Sequence, residues 1–393
     1  MVIFGIADTE ARVRAAGIEF YQIGAEDYPP GALQVLDERL ARLTGLAAFR
    51  FTVERVRNTT RMILRDGPEA VRKSNIEGLF IDQAEFAGSI ADLLDLPQVS
   101  IALIPPIVPD DRFPPFWFGW PPGQDWLSRL RNRFGMVLLK RIFTPILAEV
   151  NLHRTAWGLN PVRRPEEFLL GLVQITQLPQ ALEFGAGGEN PPGLFYTGPF
   201  LHPERRPAVE FPWERLDGRR LIYASLGTLQ NGEEHLFRTI ANACAGLDAQ
   251  LLISLGGGLD PAMLGPLPGN PLVVSFAPQL EILKRASVVI THAGINTVLE
   301  SLSEGVPMVA VPLAHDQPGM AARVKAHGAG VVVPPRGLHS ARLRKAIRLV
   351  LEEPGYREAA QVLQRAIQQL DGPGMAADLI EKALNLRSTP KVA

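Results

Sequence analysis

One cysteine, Cys244, stands in the whole chain, so no internal disulfide can form and the composition fits a reducing compartment. The residue reads as a small buried hydrophobe. Long apolar runs are lacking too. Nothing approaches the roughly 20 consecutive residues that cross a bilayer, and the opening MVIFGIADTEAR has neither the basic head nor the long apolar core of a secretory leader. Charge of either sign is not in excess: the formal net charge of −1 gives no general attraction to nucleic acid or to an anionic membrane. Histidine is scarce, seven in 393 residues, and only His153 and His202 lie in the first half. There is no internal repeat or low-complexity tract. These absences leave a cytoplasmic globular protein, long enough for two domains with separate cores.

What is present is concentrated between Phe276 and Gln317. Ser287–Thr291 is a short β-branched run of the kind a buried parallel strand needs, and His292–Ala293–Gly294 is the turn after it. A helix starts near Ile295. Its apolar positions Ile295, Val298, Leu299 and Leu302 fall at helical spacing, while Asn296, Thr297 and Glu300 share another face. Gly305 ends the helix, and Pro307 keeps it ended. The unbonded N–H groups at the helix start favour a phosphate, and Gly294 lets one come close. Glu300, one turn further in, is placed to accept from a ribose. Met308–Val311 is a second buried strand. The loop Pro312–Gln317 follows at its carboxyl end, where open α/β sheets bind ligands, and the adjacent Asp316 and Gln317 suit a polyol. Taken alone, the same residues also describe an ordinary βαβ unit whose polar side chains are caps and turns.

Along the rest of the chain, strand and helix signals alternate. Val2–Ala7 reads as a strand, Asp8 as the cap of a helix to about Ala16, and Ile18–Ile23 as another strand. Glu38–Ala70 is mostly helical, and Leu79–Asp82 is a buried strand ending in a carboxylate. A helix through Leu94 and a strand Pro97–Ile104 follow. The segment 113–147 differs. Aromatics are concentrated in the Pro-held loop Phe113–Trp120, and Trp126–Val150 reads as helices with Arg129, Arg131, Arg133, Lys140 and Arg141 among apolar residues. This suits a pocket for a large apolar acceptor or peripheral contact with a membrane. It equally suits a helix pair packed on its own domain with its charges solvated. Val173–Thr176 and Leu194–Gly198 close the first half, and the Pro-rich stretch to Asp217 has the composition of a linker. Arg220–Thr228 opens the second half as strand and turn. Gly256–Gly258 ends its next strand, as a tight turn or as a place where a ligand reaches the backbone.

The combined string Phe276–Ala277–Pro278–Gln279, His292-x-Gly294-x-Asn296–Thr297-x-x-Glu300, Gly305–Val306–Pro307 and Asp316–Gln317 resembles the nucleotide-sugar signature of family 1 UDP-dependent glycosyltransferases. The resemblance implies an α/β protein of two facing Rossmann-like domains, the GT-B architecture. Residues 1–204 would form the acceptor domain, 205–217 the linker, 218–372 the UDP-sugar domain and 373–393 a helix and tail crossing back. It also implies roles. Phe276 would stack on the uracil, with Gln279 beside the base. His292, Gly294, Asn296 and Thr297 would hold the diphosphate, with Ser225 and Thr228 approaching from the neighbouring turn. Glu300 would take the ribose, and Asp316 with Gln317 the hydroxyls of the donor sugar. No metal and no cofactor beyond the UDP-sugar co-substrate is implied.

In that family an inverting displacement attaches the sugar to an acceptor hydroxyl deprotonated by a histidine that an aspartate orients. Asp82 matches the aspartate. No residue matches the histidine, because Val2–Ala7 resembles the family's second strand. The expectation is therefore an incomplete N-terminal domain, lacking a first strand–helix unit, poorly stable and nearly inactive. The expected activity is transfer of a hexose from a UDP-sugar to a small lipophilic acceptor. A UDP-sugar-binding protein without turnover and a sugar-nucleotide epimerase of similar architecture are the alternatives.

Overall fold

The computed structural model describes residues 1–385 apart from 42, 44, 109, 165–172, 186–189, 203, 205, 207, 228–233 and 258. Its first half begins with β1 (Val2–Gly5), α1 (Glu10–Ala15) and β2 (Glu19–Gln22), a parallel pair joined by a short crossover. Then come α2 (Ala32–Ala41), α3 (Gly45–Lys73), β3 (Leu79–Asp82), α4 (Gly88–Leu94), β4 (Gln98–Ala102), α5 (Trp126–Ala156), β5 (Val173–Thr176) and β6 (Leu194–Tyr196). The sheet order is β3-β4-β5-β6, all parallel. Among the described residues β1 pairs with β2 alone and β3 with β4 alone, so each keeps one edge unpaired.

Two expectations change here. Asp8 does not cap α1; its carboxylate accepts from the N–H groups of Gly31 (2.6 Å) and Leu33 (2.7 Å), holding the start of α2 instead. A short acid caps whichever helix end the fold brings to it. The segment after Trp126 is not a helix pair but one helix of 31 residues, capped by Asp125, which accepts from the N–H of Ser128 at 3.0 Å. The aromatic loop before it packs inward. Phe116 is 4% exposed, Trp117 lies 5.3 Å from Phe143, and Phe118 stacks on Trp120 at 4.4 Å.

The second half opens with β7 (Leu221–Ser225), buried at all five positions as a strand covered on both faces must be. After it come α6 (Glu234–Cys244), β8 (Gln250–Ser254), β9 (Leu272–Val274), α7 (Gln279–Leu283), β10 (Ala286–Thr291), α8 (Ile295–Ser303), β11 (Met308–Ala310), α9 (Gln317–Ala326), β12 (Gly330–Val332), α10 (Ser340–Glu352) and α11 (Pro354–Gln368). Strand β9 and helix α7 were not anticipated. The order β12-β11-β10-β7-β8-β9 places β7 against β10, so successive strands wind outward in both directions from that pair. The carboxyl end of that pair is the crevice where a doubly wound sheet takes its ligand.

The halves meet through specific contacts. Arg323 of α9 pairs with Glu183 at 2.7 Å, the two side chains 3% and 5% exposed. A Cβ on Gly319 would collide with the backbone of Phe116, so only glycine lets the aromatic loop lie on α9. Finally α12 (Gly372–Ala383) packs Ala376 with Val99 and Ile175 of the first-half sheet, which is the expected return of the last helix.

Candidate functional site

At the β7–β10 switch point the chain turns into α8 through His292, Ala293 and Gly294. Ala293 sits at φ 66°, a left-handed conformation uncommon outside glycine, and its N–H is held by Thr291 Oγ1 at 3.1 Å. No side chain caps α8 from its N-cap residue, Gly294. The imidazole of His292 lies against Gly227 and Gly294, where any Cβ would fall on the ring. Burial pushes its pKa down to about 4, only partly offset by a hydrogen bond to the Ser225 backbone. It is a neutral imidazole at physiological pH with a single N–H, shared here with the Ser225 carbonyl, so it brings no charge to a phosphate and donates to one only by giving up that bond.

The other expected donor residues gather around this turn. Ser225, Phe276, Gln279, His292, Gly294, Asn296, Thr297, Asp316 and Gln317 all line one cavity of about 1720 Å³. Thr228 lies outside the described residues, as does Gly258. Phe276 is 51% exposed and lies on Gly257, where a Cβ would come within 2.6 Å of its ring. The glycine turn thus seats the aromatic ring, and the ring leaves a face open for a base to stack on.

Glu300 is 3% exposed and fully engaged. Gln279 donates to it at 2.6 Å, Arg206 forms an ion pair with it, and Tyr223 donates in turn to Gln279 at 3.0 Å. The expected ribose acceptor is therefore the centre of a polar chain, and Arg206 and Tyr223 are members that the sequence did not reveal. Asn296 accepts from Gln177 of the first half at 3.1 Å, a contact between residues 119 apart. Gln317 uses its Oε1 to hold the N–H groups of Leu313 (2.7 Å) and Ala314 (2.8 Å), so part of its function is to shape its own loop.

Asp316 is the outlier. Its Oδ2 is buried without a partner among the described residues, and burial pushes its pKa up to about 6 despite a hydrogen bond from the Ile295 backbone. An orphaned buried oxygen costs about 1–3 kcal/mol unless something else satisfies it. His315 beside it, on the cavity wall, also takes a left-handed conformation, φ 56°.

Across the cavity, β3 ends in Asp82, which accepts from the N–H of Ala84 at 2.7 Å; burial raises its pKa. Glu85, three residues on, is exposed to solvent on the cavity wall, and the protein around it together with the charge of Asp82 pushes its carboxyl up to about 7. Neither His153 nor His202 lines the cavity; its histidines are His292 and His315, both from the second half. The first-half wall is largely apolar, with Phe4, Phe86, Phe116, Trp117, Phe143 and Ile146 on it.

Two parallel α/β halves facing across a cavity, with a helix N-terminus on one side and an apolar wall on the other, are the arrangement of the GT-B glycosyltransferase class. Known proteins agree. A family model described as "UDP-glucoronosyl and UDP-glucosyl transferase" matches residues 214–373. The chain is 31% identical over 396 residues to a zeaxanthin glucosyltransferase of Pantoea ananas, covering 96% of this chain and 88% of that protein. It is also 31% identical to 4'-demethylrebeccamycin synthase of Lentzea aerocolonigenes, over 77% of this chain and 73% of the other. The crystal structure of the calicheamicin glycosyltransferase superposes with a TM-score of 0.72 at 24% identity, covering 99% of this chain and 91% of that one, and attests the fold. The chain belongs to the UDP-glycosyltransferase family. The comparisons favour sugar transfer over a binder without turnover and over an epimerase.

Proposed function

We propose that the enzyme transfers a hexose from a UDP-sugar to a hydroxyl of a small lipophilic acceptor with inversion at the anomeric carbon. The observation that carries this reading is Asp316 Oδ2, a buried acceptor without a partner among the described residues, on the wall of a cavity whose opposite side is apolar. A sugar hydroxyl would satisfy it. The diphosphate would lie at the start of α8 beside His292, on the N–H groups beyond the one of Ile295 that Asp316 holds, and the base on Phe276. The ribose would join the Glu300 chain, and Asn296, Thr297 and Ser225 would complete the phosphate shell.

The acceptor oxygen then attacks the anomeric carbon from the first-half side. The bond from that carbon to the β-phosphate oxygen breaks, its electron pair leaves with UDP, and the hydroxyl proton passes to a base. Of the first-half carboxylates on the cavity wall, Asp82 ends β3 and Glu85 follows three residues later, and Glu85, pushed up to about 7, is matched to accepting a proton near neutrality. The zeaxanthin and rebeccamycin relatives, both named for transfer to large apolar molecules, support a lipophilic acceptor. The reading sets the enzyme in the cytoplasm, in peripheral contact with the membrane from which such an acceptor is drawn. The test is to incubate the enzyme with a panel of UDP-sugars and lipophilic alcohols, following UDP release and product mass. With Glu85 serving as base where no residue matches the histidine, glycoside should form with the wild type, against the near-inactivity expected from the sequence, and fall by roughly 10²–10⁴ in rate with Glu85→Gln. UDP release without glycoside for every alcohol would overturn the transfer reading, and full activity of Glu85→Gln would remove Glu85 from the chemistry.

A further inference from the structure

Helix α5 carries two apolar faces where a surface helix needs one. Its inner face holds Phe143 and Ile146 on the acceptor wall of the cavity. Its outer face exposes Trp126, Leu127, Leu130, Phe134, Val137 and Leu138, the first 71% and Phe134 65% exposed. At 3.6 residues per turn these six fall within an arc of roughly 120° on the side away from the core. Apolar side chains of this size do not stay contiguous in water without a partner.

The charges say which partner. Between Trp126 and Ala148 the helix has Arg129, Arg131, Arg133, Lys140 and Arg141 and no acid. Lys140 and Arg141 make no ion pair among the described residues, and with Arg163 they line a shallow groove of about 420 Å³ that Val137 joins to the apolar stripe. We propose that this face docks on an anionic phospholipid surface, with the stripe in the acyl boundary and a headgroup phosphate in the groove at Lys140 and Arg141. A second copy of the chain is a poor fit, because a two-fold contact would bring Lys140 and Arg141 of one stripe against those of the other, and of the nearby cations it is Arg133 that already has an acid, Asp111 at 2.6 Å. The helix lies on the membrane and does not cross it: no described helix is long and apolar enough to span. For its purpose the proposal rests on the lipophilic-acceptor reading. An acceptor leaving the bilayer would have only the width of one helix, about 10 Å, between lipid and cavity.

The test is flotation of the full chain with vesicles of phosphatidylcholine alone and of phosphatidylcholine with phosphatidylglycerol. The protein should float with the anionic vesicles only, and added salt should release it. Lys140→Ser with Arg141→Ser should weaken binding roughly fivefold for each cation removed. Leu130→Ser with Phe134→Ser should abolish it. Both pairs are on the surface and should keep the melting temperature and the rate with a water-soluble alcohol, while the rate with an acceptor dissolved in the vesicles falls. Equal flotation with both vesicle types, unchanged flotation of the Leu130/Phe134 variant, or a dimer in solution that this variant dissolves would overturn the proposal. If the vesicles bind as expected and no alcohol is glycosylated, the surface stands and the transfer reading fails.

Discussion

Asp316 and His292 are both buried titratable groups, and the sign of each shift says what it is kept for. Burial raises Asp316 from 3.8 to about 6, so its ionised form weakens the fold: stability is whole below pH 3.8 and declines as the pH rises through 6. A group retained at that cost is retained for binding. Asp316→Asn should therefore raise the melting temperature at neutral pH and weaken binding of the intact UDP-sugar, with UDP affinity nearly unchanged. Calorimetry and a thermal melt check both halves of this prediction; equal losses for UDP and UDP-sugar would make Asp316 structural. His292 runs the other way. Burial lowers it from 6.5 to about 4, so its contribution to stability is whole above pH 6.5 and lost as the pH falls through 4. Over the range in which the enzyme works the ring stays neutral, so UDP affinity should not track its titration above pH 6. His292→Ala should weaken UDP binding by about 1.5–3 kcal/mol, the worth of a hydrogen bond to a charged group. An affinity that calorimetry finds unchanged by this substitution would remove the imidazole from the phosphate site.

The elements separate what the chain spells out locally from what only the fold assembles. Strand β10, the turn at His292–Gly294 and helix α8 were legible because burial, glycine and helical spacing all agree within twenty residues. Strand β9 was not, since Leu272–Val274 is three residues long and too short for any period. Asp8 was misassigned because its partners lie 23 and 25 residues away. The Arg206–Glu300 pair joins residues 94 apart, and no local pattern announces it. Glu85 had a weak signal, a second carboxylate three residues after Asp82, but its raised pKa depends on the enclosing cavity. Strand pairing also predicts where the molecule opens. β1 and β2 form a two-stranded sheet with one buried residue, Phe20, whereas β7 sits inside six strands with every residue buried. A two-stranded sheet is marginal in water, and such elements open locally at low cost. Amides of β1 and β2 should exchange with deuterium well before those of β7 and β10. Mass spectrometry showing equal protection would mean that the first sheet is held by packing on α3 as firmly as a central strand.

At the scale of the molecule, the cavity has its two walls in register only while the halves stay docked, and one ion pair stands at the centre of that docking. Arg323 donates to Glu183 at 2.7 Å and 3.0 Å and lies over the ring of Phe184 at 4.6 Å, while Glu183 also accepts from the N–H of Phe184 at 2.8 Å and faces the Tyr196 hydroxyl at 3.4 Å. Neither side chain reaches bulk water, so screening by salt is weak and each charge depends on the other. Arg323→Met leaves Glu183 charged and enclosed and should cost about 3–5 kcal/mol, the usual consequence of stripping one partner from a buried pair. The loss should fall on the contact between halves. Transfer should therefore weaken through a higher KM for the acceptor, which needs both walls, more than through UDP binding, whose expected ligands lie in the second half. Adding Glu183→Gln, which keeps an oxygen for Phe184 without the charge, should recover most of the melting temperature. A single variant that melts like the wild type, or a double variant no better than the single, would show that the apolar contact of Phe116 on Gly319 and the packing of α12 hold the halves together without the ion pair.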